Sequence, residues 1–340
     1  MRNIFKDKVI LITGATGSFG EQLVPRILAY APKVVRCYSR DETKQFHMLQ
    51  KLGNRRDVRY FIGDVRDYDR LLHAMEDVDY VFHLAAMKHV FACEYNPFEA
   101  MKTNIVGTAN VIEAAIEAKV NKVVFTSTDK AVNPCNVMGT SKLFAEHLIT
   151  AGHYYRGTHK TVFCSVRFGN VLGSRGSVIP LIEKQIQSGN TVTMTDANME
   201  RYVMSLNECL KFVFEVVEIA IGGEVFVLKM PIVRVRDLIK ALIELIAPKY
   251  NKDPKSIKIK SIGMLPGEKF SEELITEDEM KSCYELKNMY VILPQMRDLI
   301  QTRTSYEAKY AKVTTPQKEY LNKNQIKSLL KKSGILEMDD

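Results

Sequence analysis

Short apolar runs alternate with longer segments in which apolar positions recur every three or four residues, and the alternation is regular through the first half of the chain. It predicts strands over 8–12, 34–38, 58–62, 80–83 and 122–126. Between them it predicts helices from a glycine-bearing turn to about 30, over 41–52, 70–75 and 99–118, and from about 138 to 155. Strands that alternate with helices imply an α/β fold with a Rossmann-like, doubly wound parallel sheet. Past 155 the pattern becomes mixed. A strand over 162–167, an extended piece at 192–194, a helix opened by the capping box Ser205-x-x-Glu208, a helix over 235–246 and a strand over 257–262 are expected. The expected division is a main domain 1–167 continued by about 197–223, a smaller mixed substrate-binding part from 168–196 and 224–300, and a C-terminal extension 301–340. Within the extension, 306–320 has no clear period, and 322–332 reads as an amphipathic helix suited to assembly.

Composition narrows the class. At 340 residues, 46% hydrophobic and 26% charged, the chain has enough apolar side chains for one large or two smaller cores. Its six cysteines include no Cys-x-x-Cys pair, so neither a disulfide framework nor a metal site is expected, which suits a reducing cytoplasm. The opening residues run straight into a strand and no run of 18 apolar residues occurs, so neither a signal peptide nor a membrane span is expected. The net charge of +8 comes from scattered basic residues, which fits attraction of a phosphorylated ligand better than nucleic-acid binding.

Candidate chemistry sits at the strand ends, where open α/β sheets bind ligands. After the first strand comes Thr13-Gly14-Ala15-Thr16-Gly17-Ser18-Phe19-Gly20, opening a helix. Glycines there permit a tight turn and close approach of backbone to a pyrophosphate, and the helix N-terminus favours negative charge; a plain tight turn is the simpler alternative. At the second strand end, Ser39, Arg40 and Lys44 are suited to a 2′-phosphate, which points to NADP, while Asp41 also suits a helix N-cap. Asp64, at the third, is an acceptor for an adenine amino group, and Asp67 a cap. The fourth carries small Ala85 and Ala86, against which a cofactor can lie, and His83, read as a core histidine. The fifth ends in Ser127-Thr128-Asp129-Lys130, and the next helix opens with Met138-Gly-Thr-Ser-Lys142. Beyond it, Asn170 and the polar loop 173–180 look built for a ligand, and Arg201 is a candidate for bidentate phosphate binding.

Taken together, Thr-Gly-x-x-Gly-x-x-Gly at 13–20, Ser39-Arg-Asp-Glu, Gly63-Asp-Val-Arg-Asp, Ala85-Ala-Met-Lys-His, Thr103-Asn-Ile-Val-Gly-Thr, Ser127-Thr-Asp-Lys-Ala, Arg167-Phe-Gly-Asn-Val, Ser174-Arg-Gly-Ser-Val-Ile-Pro, Met199-Glu-Arg-Tyr and Pro266-Gly-Glu-Lys resemble the extended short-chain dehydrogenase/reductases. More narrowly, they are similar to soluble UDP-N-acetylglucosamine 4,6-dehydratases that invert carbon 5, enzymes of capsule and surface-polysaccharide biosynthesis. Most of the wider family carries Tyr where this chain has Met138; a subgroup similar to the capsular enzymes has Met.

The resemblance implies tightly bound, recycled NADP+ and a UDP-N-acetylglucosamine substrate. Asp129 would be the acid for the 6-hydroxyl, Lys130 the base at carbon 5, and Lys142 the holder of the nicotinamide ribose. The 4-hydroxyl proton would fall to Thr128, Ser127 or a water. For a base role Lys130 is expected to have its pKa lowered by desolvation or by cations such as Lys142. Val65, Lys88 and Asn104 join the cofactor set, and Lys88, Asn170, Ser174, Arg175, Val178, Arg201 and Glu268 form the substrate set. A homo-oligomer, hexamer or dimer, is expected. The alternatives are a nucleotide-sugar 4-epimerase or 4-reductase of the same fold, and a catalytically impaired NADP-binding regulatory protein.

Overall fold

The computed structural model describes residues 3–174, 176–295 and 300–334, with 300–303 described as backbone only. The chain begins β1 (Val9–Thr13), α1 (Gly20–Leu28), β2 (Val34–Ser39), α2 (Glu42–Leu52), β3 (Val58–Ile62), α3 (Tyr68–Met75), β4 (Tyr80–His83). Every residue of β1 is buried, as a central parallel strand covered on both faces requires. Asp41 and Asp67 cap α2 and α3, accepting from the N–H groups of Lys44 at 2.9 Å and Arg70 at 3.0 Å.

Where one helix over 99–118 was expected, the chain forms α4 (Val90–Tyr95), α5 (Pro97–Ala100), a π-helical stretch (Met101–Val106) and α6 (Gly107–Glu117). Then come β5 (Lys122–Thr128), α7 (Val137–Tyr155), β6 (Val162–Phe168), β7 (Asn170–Val171), α8 (Val178–Ser188), β8 (Thr191–Met194), β9 (Glu200–Met204), α9 (Leu206–Ile219), β10 (Val225–Leu228), β11 (Ile232–Arg234) and α10 (Val235–Ile246). The last elements are β12 (Lys258–Ser261), α11 (Glu277–Met280), β13 (Cys283–Glu285), β14 (Met289–Ile292), α12 (Ile300–Glu307), β15 (Ala311–Lys312) and α13 (Lys323–Lys332).

The main sheet has the order β15-β13-β14-β10-β6-β5-β4-β1-β2-β3. From β3 to β10 every pairing is parallel, and β14, β13 and β15 add antiparallel strands at the edge. The order reverses between β1 and β4, which opens a crevice at the C-terminal ends of β1, β4 and β5. Period-two alternation divides the strands between two cores. Ile10, Ile12, Phe82 and Val124 face α1 and α9, while Leu11, Val81, Val123 and Phe125 face α3, α6 and α7. Each such fully buried aliphatic or Phe side chain contributes about 1.5–3 kcal/mol.

A second body stands beyond the crevice. It is built from a three-stranded sheet β11-β9-β7, a two-stranded sheet β12-β8, and helices α8, α10 and α13. β10, β13 and β14, which fall in the stretch expected to form the smaller part, hydrogen-bond into the main sheet. α13 is the amphipathic helix expected over 322–332. It buries Ile326 and Leu330 against α10 of its own chain, with Lys323 and Lys327 both paired to Glu244. Among the described residues no helix is long and apolar enough to cross a membrane.

Candidate active site

Thr13 ties the ends of β1 and β4 together. Its Oγ1 lies 2.8 Å from His83 Nδ1 and accepts from the N–H groups of Leu84 and Ala85. On the other side of the ring, His83 Nε2 lies 3.0 Å from Thr108 Oγ1, which itself donates to the Asn104 carbonyl. This network places the ring proton on Nε2 and leaves Nδ1 to accept from Thr13. Burial, with Lys142 adding to it, pushes the His83 pKa down to about 3, so the ring is a neutral core histidine, as its apolar strand suggested.

The glycine turn fits an anionic ligand. Gly14 has φ +68°, and a Cβ there would stand 2.8 Å from the Ala85 backbone, so only glycine fits. A Cβ on Gly20 would meet the Ala15 carbonyl at 2.4 Å, so α1 can pack this closely only without one. No side chain caps the N-terminus of α1; the N–H groups of Glu21 and Leu23 bond to the Gly17 and Phe19 carbonyls, and the positive end of the helix dipole favours an anion at the turn. Thr16 Oγ1 lies 2.7 Å from Ser39 Oγ, and Phe19 lies against Phe168. Arg40 and Lys44 are half exposed at the second strand end, Arg40 3.5 Å from Asp64 and Lys44 3.0 Å from Asp41. The Asp64 carboxylate takes most of its bonds from Arg66, at 2.7 and 2.9 Å. Val65 is buried against Gly107, and Ala85 and Ala86 are half-buried at the end of β4. Asn104 sits in the π-helical stretch. Its amide donates to the Met87 carbonyl and Ser141 Oγ and accepts from Met87 N–H, joining the loop after β4 to α7.

The chemistry-bearing cluster lies at the end of β5. Thr128 Oγ1 donates to Asp129 Oδ1 at 2.9 Å, and Lys130 Nζ donates to the same oxygen at 3.0 Å. Lys130 also reaches Asn170 Oδ1 at 3.4 Å and Glu272 Oε1 at 3.6 Å. Asp129 has no exposed surface, and the Glu272 side chain is 3% exposed. Asp129 Oδ2 and Glu272 Oε2 are both buried without a hydrogen-bond partner in the protein. Ser127 Oγ is likewise buried and unpartnered.

Burial alone would lower the Lys130 pKa, but the carboxylates of Asp129 and Glu272 outweigh it and raise it above the usual lysine value. This reverses the expectation of a depressed Lys130. Beside this cluster it is Lys142 whose pKa is depressed: burial, opposed only by Glu146, brings it down to about 7. Its Nζ stands 4.0 Å from the centre of the Phe125 ring. Burial also pushes the Glu272 carboxyl upward, Lys130 opposing and Asp129 adding to the effect. Met138 packs in a small apolar cluster with Cys93 and Ala100, flanked by Met87, Val90 and Val137.

Of the residues assigned to substrate, Asn170 reaches Lys130, while Arg201 donates to the carbonyls of Glu200, Lys269 and Phe270. Glu268 accepts from Leu265 N–H in its own turn. Ser174 and Val178 flank the turn into α8, Lys88 is exposed next to His89, which meets Gly176 of that turn, and Arg175 lies outside the described residues.

Two participants, Glu272 and Arg167, stand outside the candidate residues read from the sequence, although Arg167 opens one of the motifs that carry the resemblance. Glu272 lies in an aperiodic acidic loop, and Arg167 in an apolar strand. Arg167 is fully buried and bonds to Glu146 of α7, to Glu279 and to the Leu274 carbonyl.

A pyrophosphate-type turn at the switch point of a parallel sheet, with a lysine one turn into the helix after β5, defines a short-chain dehydrogenase/reductase-type α/β protein. The chain belongs to the polysaccharide biosynthesis protein family, whose model matches residues 10–294. It is 50% identical to an uncharacterized membrane protein of Methanocaldococcus jannaschii over 98% of both chains. It is 45% identical to a Campylobacter jejuni UDP-N-acetylglucosamine 4,6-dehydratase (inverting) over 86% of this chain and 85% of that one. A UDP-glucose 4-epimerase of Rickettsia bellii is 42% identical over 96% of each. The X-ray structure of Pen from Bacillus thuringiensis superposes with a TM-score of 0.90 at 45% identity, covering 98% of this chain and 99% of that one.

Proposed function

We propose that the protein is an NADP-dependent UDP-N-acetylglucosamine 4,6-dehydratase that inverts carbon 5, giving UDP-2-acetamido-2,6-dideoxy-β-L-arabino-hex-4-ulose for surface-polysaccharide biosynthesis. The observation that carries this reading is Asp129 Oδ1, which receives both Thr128 and Lys130 within 3.0 Å. Dehydration needs an acid at the 6-hydroxyl and a base at carbon 5. One proton moved from Lys130 Nζ to Asp129 Oδ1 makes both at once, a carboxylic acid and a neutral amine. The acid then protonates the departing hydroxyl to water while the amine takes the carbon-5 proton, and the pair returns to its ionic form with no net gain or loss.

NADP would be held by the turn Thr13 to Gly20, by Ser39, Arg40 and Lys44 at the 2′-phosphate, by Asp64, Val65, Ala85, Ala86, Lys88 and Asn104 along its length, and by Lys142 at the nicotinamide ribose. When bound it supplies reversible hydride acceptance. Thr128 holds Asp129 in line with the amine, and Asn170 and Arg201, with Ser174, Val178 and Glu268 around them, are the residues for the UDP-sugar. Met138 has no exchangeable proton, so removal of the 4-hydroxyl proton falls to a hydroxyl or a water. Cytoplasmic location and homo-oligomerisation belong to the same reading.

The test is incubation of the purified protein with UDP-N-acetylglucosamine in deuterated water, followed by mass and NMR analysis. Loss of one water with deuterium at carbon 5 in the L-arabino configuration supports the dehydratase. The epimerase named among the relatives is the competing reading, and a product of unchanged mass inverted at carbon 4 would establish it instead.

A further inference from the structure

Glu272 reaches Lys130 from far along the chain, and the fold fixes it there on both sides. Two residues before it, Arg201 Nη1 holds the Phe270 carbonyl at 3.3 Å, with the Lys269 carbonyl at 3.0 Å. Two residues after it, Arg167 Nη1 holds the Leu274 carbonyl at 2.9 Å. Asn133, three residues past Lys130, donates to the neighbouring Glu273 at 2.5 Å. The anchored carboxylate ends 3.6 Å from Lys130 Nζ, with Asp129 at 3.0 Å, so the amine is shared by two acidic groups. Leaving Glu272 Oε2 buried and without a partner costs free energy that a purely structural carboxylate would avoid by reaching solvent or a donor.

We infer that Glu272 is a positioning residue for the carbon-5 proton transfer: it shares the Lys130 amine with Asp129 and sets how readily that amine gives up its proton. The inference rests on the dehydratase reading for its catalytic meaning, but the charge relationship itself does not need turnover. An ionised Glu272 holds Lys130 as ammonium and opposes the proton shift to Asp129; an uncharged side chain there releases it. The other charged groups bearing on this pair are Asp129, Arg201 and Lys269, of which Arg201 and Lys269 favour the ionised Glu272. Tyr202, packed near Asp129, stays a neutral phenol in the same region, its pKa pushed up to about 12 mainly by burial.

The experiment is competitive labelling of Lys130 with an amine-acylating reagent across a pH series, read by mass spectrometry, in the wild type, Glu272→Gln and Glu272→Asp, alongside kcat and KM profiles. Gln keeps the shape and removes the charge, so the Lys130 labelling midpoint is expected to fall by about one pH unit. The limb of the kcat profile that reports the neutral amine is expected to move the same way, with KM for the nucleotide sugar within about twofold. Asp restores a midpoint close to the wild type. An unchanged midpoint in Glu272→Gln overturns the inference, as does an equal fall in both variants, which would mean packing rather than charge. Labelling that shifts as expected in a protein that releases no water upholds the Glu272–Lys130 relationship and removes the dehydratase reading.

Discussion

Arg167, with no exposed surface, grips Glu146 of α7 through Nε at 3.1 Å and Nη2 at 2.6 Å. Glu146 lies one turn beyond Lys142, and the same guanidinium reaches Glu279 and the Leu274 carbonyl, so one buried cation fastens the helix carrying Lys142 to the segment carrying Glu272. Removing one member of such a buried set leaves the others uncompensated. Arg167→Met is expected to destabilise the protein by about 3–5 kcal/mol in urea unfolding, and a loss below about 1 kcal/mol would mean the carboxylates find other partners.

Thr128 offers a cleaner catalytic test, because its hydroxyl makes a defined bond to Asp129 at 2.9 Å. Thr128→Val should lower kcat by about 10²-fold with KM little changed, since a misplaced acid costs rate rather than binding. Thr128→Ser should recover most of it. An active Val variant beside a damaged Ser variant would point to the methyl group and against the hydroxyl.

Met138 is packing. Met138→Leu conserves volume and should cost less than about 1.5 kcal/mol, with activity within a few-fold of wild type. Met138→Tyr forces a longer ring and a hydroxyl into the cluster with Cys93 and Ala100, and should cost about 1–3 kcal/mol. A Leu variant that folds normally yet loses activity by orders of magnitude would give the thioether a chemical role.

Gly14→Ala places a methyl 2.8 Å from the Ala85 backbone at φ +68°. The strain is worth about 1–3 kcal/mol, and because the turn itself must shift, NADP affinity by isothermal titration should fall at least tenfold. Retained affinity would show that the turn is not the cofactor cradle.

Lys142 gives a pH dependence with a definite sign. Its pKa is 10.5 in the unfolded chain by the ordinary lysine value and about 7 in the folded protein. Between those values the unfolded chain binds more protons, so stability rises with pH across that window. Below about pH 7 both states are protonated and the cost of burying the ammonium is fully present. Lys142→Met removes that cost, so its advantage in urea unfolding should be large at pH 6.5 and shrink by pH 9. A gap that does not change with pH would mean that Lys142 keeps its charge in the folded protein.

Local features were legible in the chain. The glycine turn, the caps at Asp41 and Asp67 and the Ser205–Glu208 box are decided by residues three or four apart, and each stands where the pattern put it. Long-range features were not. The acidic loop that delivers Glu272 has no period, so nothing in it shows that it closes on Lys130, and without Glu272 the direction of the Lys130 shift came out reversed. Helix α8 was hidden because the loop before it has the composition of a ligand site. The edge strands β13 and β14 are short and separated from β10 by the second body, so their pairing depends on topology rather than on any run of residues.

The π-helical stretch Met101–Val106 has an evolutionary consequence. Such a turn behaves as a one-residue insertion absorbed within a helix. Deleting a residue there would restore ordinary winding and turn everything upstream by about 100°, one residue's share of an α-helical turn. Asn104 would then face away from Ser141, and the loop after β4 would lose its tie to α7. The irregularity therefore fixes the spacing of the motif around it: along this lineage, length changes between β4 and β5 should be tolerated in the loops and rare within 101–106.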